Sequence, residues 1–158
     1  TGKRLEMEIA PDGTVLIDDS YNAAPSSVKA ALELLAKLPE LLASESQLTS
    51  CQTQKRQRIA VLGDMLELGG NERQMHEELG AICANGGVEL LIGVGELSRY
   101  TVRHAQERGL KAVWAADFEQ ALEKLNALRH PGDYLLVKAS HSINLSALAQ
   151  KIRANYVV

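Results

Sequence analysis

The chain has 158 residues, enough for one domain that buries about two-thirds of the surface its unfolded form exposes. Its composition, 46% hydrophobic and 23% charged, is ordinary for a globular protein, and its formal net charge of −3 supplies no basic field for nucleic acid. No apolar run approaches the roughly 20 residues that a membrane-spanning helix needs.

The cysteines and the chain start indicate the context of the protein. Cys51 and Cys83 stand far apart in no metal-type spacing, which favours two free thiols and a cytoplasmic location. Residues 1–10 alternate polar and apolar side chains and so lack the apolar core of a signal peptide. Because the chain starts abruptly at Thr1, we expect it to be a piece excised from a larger protein.

The first third of the chain predicts a hairpin and then a helix. Alternation over 5–9 and an apolar run over 14–17 predict two strands joined by a Pro-Asp-Gly turn. Five apolar residues at helical spacing between 28 and 38 predict a helix, capped by Ser26 or Ser27 and ended by Pro39. The Ser-, Gln- and Thr-rich stretch 44–57 predicts a surface loop.

Strands and helices alternate through the rest of the chain. Apolar runs predict strands over 59–62, 90–94, 111–114 and 134–137. Helices are predicted over 71–84, 97–108, from 117 and over 145–156, with capping boxes at Asn71/Gln74 and Asp117/Gln120. This order predicts an α/β fold: a doubly wound, mainly parallel, Rossmann-like sheet with an N-terminal β-hairpin, in one domain over 1–158.

Three polar loops follow predicted strands. Residues 18–25 are D-D-S-Y-N-A-A-P, residues 61–69 are V-L-G-D-M-L-E-L-G with His76 downstream, and residues 137–140 are V-K-A-S. The carboxyl ends of parallel strands share one edge of a sheet, where open α/β folds bind ligands. The three loops therefore predict a site on one rim.

These segments resemble the C-terminal domain of the Mur ligases. The branch of that family that adds D-alanyl-D-alanine carries D-D-S-Y-N-A-N-P, V-L-G-D-M-L-E-L-G with a downstream His, and L-V-K-G-S, so Ala24 and Ala139 are departures. The likeness spans roughly residues 2–152. It implies the closing domain of the ATP-dependent ligase that joins D-alanyl-D-alanine to UDP-N-acetylmuramoyl-tripeptide (UDP-MurNAc-tripeptide) in peptidoglycan precursor synthesis.

The resemblance also implies a division of labour. Members of the family carry a UDP-binding domain and a central ATPase domain, and the present chain contains no G-x-x-x-x-G-K-[ST] phosphate loop. ATP and Mg²⁺ are therefore expected to be bound mainly by the central domain. We expect no catalytic residue in this domain, and an isolated fragment without activity.

The resemblance assigns nucleotide contacts to the first loop. Asp19 corresponds to the carboxylate that binds the ATP ribose hydroxyls, and Tyr21 and Asn22 are expected beside nucleotide or substrate. From position alone, Asp18 and Asp19 point to opposite faces of a strand, and one of them could cap the following turn. Arg4 echoes a nucleotide-contacting Arg of the family, whose true counterpart could also lie upstream of this chain.

The other two loops are expected at the substrate. The incoming dipeptide is a zwitterion, so Lys138 would meet its carboxylate, Asp64 or Glu67 its ammonium group, and Ser140 a neutral hydrogen bond. The alternatives are that the acids cap the helix that follows this segment and that Lys138 forms a surface salt bridge. His76 lacks a third ligand nearby, so no metal site is expected.

Two other functions share some features of this sequence. A phosphoacceptor receiver domain also carries an acid pair, a later Asp and a Lys after its last strand, which Asp18, Asp19, Asp64 and Lys138 imitate. Gly63 before Asp64 and the absence of a proline after Lys138 argue against it. Another Mur ligase, adding meso-diaminopimelate or lysine, would carry D-Y-A-H-T-P at the first loop.

Overall fold

The computed structural model describes residues 6–19, 25–42, 56–66, 69–138 and 146–153. Within these ranges the strands are β1 (Glu6–Ile9), β2 (Val15–Asp19), β3 (Arg58–Gly63), β4 (Leu90–Val94), β5 (Ala112–Ala115) and β6 (Tyr134–Lys138). The helices are α1 (Pro25–Leu41), α2 (Glu72–Asn85), α3 (Ser98–Glu107), α4 (Phe118–Leu128) and α5 (Ser146–Arg153). In this part of the chain no helix is both long and apolar enough to cross a membrane.

The strands form one sheet in the order β1-β2-β6-β3-β4-β5. β1 pairs antiparallel with β2, and every other pair is parallel. The chain builds outward from β2 to β5 and then returns, so that β6 is inserted between β2 and β3. The predicted doubly wound, mainly parallel sheet with an N-terminal hairpin is confirmed.

The sheet separates two apolar cores. Residues of α1, α2 and α3 cover one face, where Ile17, Leu62 and Leu136 point, and residues of α4 and α5 cover the other, where Val61 and Val137 point. Adjacent residues of the central strands thus enter different cores, and nearly all are fully buried. This explains the continuous apolar runs, because a parallel strand covered on both faces has no polar side.

Helix α1 differs from its prediction at both ends. It begins at Pro25 rather than after a serine cap, because the first turn of a helix needs no amide hydrogen and tolerates proline there. It also continues through Pro39 to Leu41, and the Leu42 amide still donates to the Leu38 carbonyl at 2.9 Å. Leu38 is fully buried, so packing on the sheet holds this last turn in place.

One of the two predicted capping boxes is present. Asp117 has an extended backbone and accepts a hydrogen bond from the Gln120 amide at 3.0 Å, while the Gln120 side chain accepts from the Ala116 amide. The capping box predicted at Asn71 and Gln74 is absent. The φ of −103° and ψ of 19° at Asn71 are not the extended conformation that aims a cap side chain at the first turn, and this residue makes no such bond.

A buried arginine closes the amino-terminal end of the sheet. Arg129 Nη1 donates to Thr14 Oγ1 at 2.6 Å, and its Nη2 lies 3.0 Å from Asp12 Oδ2 in an ion pair without hydrogen-bond alignment. The Thr14 amide donates to Asp12 Oδ1. Burial acts to raise the pKa of Asp12, but the hydrogen bonds from Thr14 and the charge of Arg129 outweigh it and lower that pKa below its usual 3.8.

Candidate functional site

Three neighbouring strands end at one level of the sheet. The register pairs Asp19 of β2 with Lys138 of β6, and Lys138 in turn with Leu62 of β3. Asp64 follows β3 by one residue, so it stands at the same edge. The predicted common rim is confirmed for Asp19, Lys138 and Asp64, and we call this edge the carboxyl rim.

Asp19 and Lys138 form a buried ion pair. Lys138 Nζ lies 2.6 Å from Asp19 Oδ2, and the two side chains are 1% and 12% exposed, respectively. Both lie on the α1 face, as Ile17 and Leu136 two residues earlier do, because strand residues alternate. The expected alternative of a surface salt bridge for Lys138 is wrong. A charge-assisted bond of this length fixes the position of the carboxylate.

Lys138 binds one of the two oxygens of the Asp19 carboxylate. Within the described part of the chain its hydrogen-bond partner is Lys138, which donates to Oδ2. Asp18, the preceding residue, is half-buried and lies on the opposite face of β2. The two acids therefore do not act as a pair, in agreement with the alternation in the sequence.

Asp64 caps a helix that begins 34 residues later in the chain. Its Oδ1 accepts from the amide and from the hydroxyl of Ser98, each at 2.8 Å, and its Oδ2 accepts from the Leu97 amide at 3.2 Å. These amides open α3, whose dipole favours a negative charge there. Gly95 makes this approach possible, since its φ is +110° and a Cβ would lie 2.6 Å from Asp64 Oδ2. Asp64 thus caps α3 and not α2, the helix that directly follows its segment and that the sequence alternative had named.

His76 is fully buried and holds the chain after β3. The Met65 amide donates to its Nε2 at 3.0 Å, and its Nδ1 lies 2.6 Å from the Glu72 carbonyl oxygen. The sequence pattern suggested a metal ligand as the only role to test for His76, and its contact with the rim was missed. Its place downstream of the V-L-G-D-M-L-E-L-G segment was the available signal. Among the described residues no group of three His, Cys, Asp or Glu could hold a metal ion.

Five of the predicted site residues lie outside the described residues: Arg4, Tyr21, Asn22, Glu67 and Ser140. The contacts expected of them stay predictions. The described chain begins at the carboxyl rim, because Glu6, the first residue of β1, pairs with Asp18.

A doubly wound sheet with this rim is the architecture of the Mur ligase C-terminal domain, and the comparison with known families agrees. Residues 3–141 match the family described as "Mur ligase, glutamate ligase domain", so the chain belongs to that family. The family membership, together with the three hydrogen bonds that occupy Asp64, argues against a phosphoacceptor receiver domain.

Two similar curated proteins carry the same name. The chain is 37% identical over 152 residues to the UDP-N-acetylmuramoyl-tripeptide--D-alanyl-D-alanine ligase of Mycobacterium leprae, covering 92% of this chain and 29% of that protein. It is 31% identical over 157 residues to the ligase of the same name from Bacillus subtilis, covering 96% and 31%. The chain thus spans less than a third of the length of these relatives.

Solved structures show the same fold. MurF from Acinetobacter baumannii superposes with a TM-score of 0.76 at 24% identity, over 98% of this chain and 31% of that one. MurF ligase from Thermotoga maritima, solved in complex with ADP, superposes with a TM-score of 0.72 at 20% identity, over 98% and 31%.

Proposed function

We propose that this chain is the C-terminal domain of a cytoplasmic ATP-dependent ligase that joins D-alanyl-D-alanine to UDP-MurNAc-tripeptide in peptidoglycan precursor synthesis. The observation that carries the proposal is the 37% identity, over 92% of the chain, to an enzyme of that name. The D-D-S-Y-N sequence at residues 18–22 supports it, since ligases for other amino acids carry a different first loop.

The chemistry defines what such a domain must contribute. ATP supplies the phosphoryl group that activates the tripeptide carboxylate, and the amine of D-alanyl-D-alanine then displaces phosphate to form the amide. Charge stabilisation at the phosphates belongs to a central domain with a phosphate loop and Mg²⁺. This domain would bind the ribose, orient the dipeptide and exclude water when it closes over the nucleotide.

Asp19 fits the ribose of ATP. A carboxylate accepts hydrogen bonds from both hydroxyls of a ribose diol, as in dinucleotide-binding folds. Lys138 donates to Oδ2 at 2.6 Å and so fixes the position of the carboxylate before the nucleotide arrives. Arg4, Tyr21 and Asn22 would complete the nucleotide contacts.

The roles of the substrate-side residues follow from their partners. Lys138 acts in the first place through Asp19, because its side chain is 1% exposed, and a direct contact with the dipeptide carboxylate stays a prediction. Asp64 already accepts three hydrogen bonds from the start of α3, so the dipeptide ammonium is assigned to Glu67 in preference to Asp64. Ser140 is proposed as a neutral hydrogen-bond partner.

The reaction itself tests the proposal. The complete protein that contains this chain is incubated with ATP, Mg²⁺, UDP-MurNAc-tripeptide and D-alanyl-D-alanine, and the pentapeptide product and ADP are measured by mass spectrometry and a coupled assay. We expect stoichiometric product and ADP, with meso-diaminopimelate, lysine and glutamate inactive as acceptors. Amide formation with one of those amino acids instead would contradict the proposal.

The ribose contact is tested by Asp19→Asn in the same assay. The amide keeps the shape of the carboxylate but removes its charge, and a hydrogen bond to a charged group contributes about 1.5–3 kcal/mol. We expect the KM for ATP to rise roughly 10- to 150-fold while the KM for D-alanyl-D-alanine changes less. Asp18→Asn is the matched control. A larger rise in the KM for ATP in Asp18→Asn than in Asp19→Asn would contradict the assignment of the ribose contact to Asp19.

A further inference from the structure

The partners of the His76 ring determine its tautomer. The Met65 amide can only donate, so Nε2 must carry the lone pair, and the Glu72 carbonyl can only accept, so Nδ1 must carry the hydrogen. A doubly protonated ring would direct an N–H at the N–H of Met65. The imidazole with its hydrogen on Nδ1 thus joins the first turn of α2 to the chain that leaves β3.

The segment that His76 contacts is held from two sides. Asp64 is tied to the start of α3, and the next residue, Met65, is tied to α2 through its amide. The Met65 side chain is 2% exposed and packs in the core under α1 and α2, whereas Leu66 is 40% exposed. The chain therefore turns outward at the carboxyl rim immediately after Met65, whose amide donates a hydrogen bond to His76.

We propose that His76 is a positioning residue for dipeptide use. It touches no substrate, but through the Met65 amide it sets the path on which the segment 64–66 leaves β3 and so fixes the edge of the rim that meets the incoming dipeptide. An aliphatic side chain at this position would fill the same space in the core without holding the amide. The inference deepens the proposed function and rests on it.

Three variants separate positioning from packing. His76→Leu keeps most of the volume and removes both hydrogen bonds, whereas the amide of His76→Gln offers an acceptor and a donor. Thr101→Val is the matched control, because the Thr101 hydroxyl donates to the backbone carbonyl of His76 at 2.9 Å and does not touch the ring. If the leucine variant does not fold, His76→Asn, whose shorter side chain reaches one partner only, replaces it.

Two measurements are made on the complete ligase. In His76→Leu we expect kcat/KM for D-alanyl-D-alanine to fall by about 10- to 100-fold, because small displacements of positioning groups cost that much, with the KM for ATP changed less than about twofold. Hydrogen exchange of the Met65 amide should accelerate at least about tenfold while the amides of β3 and β4 keep their protection. His76→Gln should recover most of both properties, and Thr101→Val should alter neither selectively.

Either of two results would overturn the inference. One is a folded His76→Leu enzyme with dipeptide kcat/KM within about twofold of the wild type. The other is an equal acceleration of exchange across the whole domain, which would make His76 a core residue and nothing more. A wild-type protein that forms no amide would refute the proposed function instead, and unchanged Met65 exchange in His76→Leu would then refute the contact independently.

Discussion

At the scale of single residues, the carboxyl rim is organised by charges that are satisfied within the domain. Asp19 and Lys138 neutralise each other at 2.6 Å in a place where a lone ammonium group would be very costly. Such pairs contribute little net stability relative to apolar residues, but the loss of one partner leaves a buried charge uncompensated. For the proposed ribose contact, the pair would therefore matter through the fixed position of the Asp19 carboxylate more than through net stability.

A double-mutant cycle tests this pairing. Asp19→Leu removes the carboxylate that lies 2.6 Å from the buried Lys138 ammonium group and should lower the free energy of unfolding by up to about 3–5 kcal/mol, and Lys138→Met should lower it by somewhat less because Asp19 is nearer solvent. The double variant should lose far less than the sum of the two. Urea unfolding of the three variants and the wild type gives the coupling, and strict additivity would show that the side chains do not interact in solution.

Asp12 predicts how acid weakens the domain. Its pKa is lowered in the folded chain, so its contribution to stability is complete above the ordinary value of 3.8 and is lost as pH falls through the lower folded value. Asp12→Asn should make the decrease in unfolding free energy below pH 4 shallower than in the wild type. Glu123→Gln, on the exposed face of α4, is the control for removing a carboxylate. Parallel acid profiles for wild type and Asp12→Asn would contradict the prediction.

At the scale of elements, long-range contacts define how helices start and pack. α3 begins at Ser98 with no cap from its own neighbour, since Leu97 precedes it, and the carboxylate of Asp64 replaces that cap. The same helix packs closely on α2, where a Cβ on Gly80 would lie 2.4 Å from the Thr101 carbonyl oxygen. The sequence predicted both helices from periodicity, yet neither the distant cap nor this close approach has a local signature.

The role of Asp64 as the cap of α3 can be tested by comparison with Asp117, the local cap of α4. Asp64→Ala removes three hydrogen bonds to a buried helix start, so we expect a loss of about 2–4 kcal/mol in unfolding free energy. Asp117→Ala removes a single exposed cap bond at α4 and should cost about 0.5–2 kcal/mol. Chemical denaturation of both variants makes the comparison, and equal losses would mean that Asp64 is not a structural cap.

At the scale of the whole molecule, two cores share a single sheet. The residues that face α1, α2 and α3 alternate with those that face α4 and α5 along the same strands. Neither core can therefore lose its packing without exposing the strands that the other one covers. This arrangement favours unfolding in one cooperative step.

The isolated 158-residue chain should fold cooperatively and be inactive. Trp114, the single tryptophan, donates to the Gly95 carbonyl at 2.7 Å and reports on the β5 edge, while far-UV circular dichroism reports on all elements. We expect both signals to give one midpoint in urea. ADP release should not exceed that of a heat-treated control, because the chain has no phosphate loop. Separate midpoints, or ADP release by the pure chain, would contradict these expectations.

The sequence by itself determined the elements and the family of this protein. Alternation and apolar runs located the hairpin and the parallel strands, because side-chain periodicity is a local property, and the two long motifs identified the Mur ligase domain. Pro39 was misjudged because packing of the last turn of α1 outweighs the local preference, whereas Pro25 was misjudged because proline itself suits the first turn of a helix.

Only the tertiary structure decided which polar groups belong together. Lys138 meets Asp19 across 119 positions of sequence because β6 is inserted beside β2, and Asp64 meets Ser98 because α3 starts over the end of β3. Strand order depends on how the apolar faces of the whole chain are buried, which no single segment encodes. The motifs therefore indicated which residues form the rim, and the fold assigned Asp19 its lysine, Asp64 its helix and His76 its backbone amide.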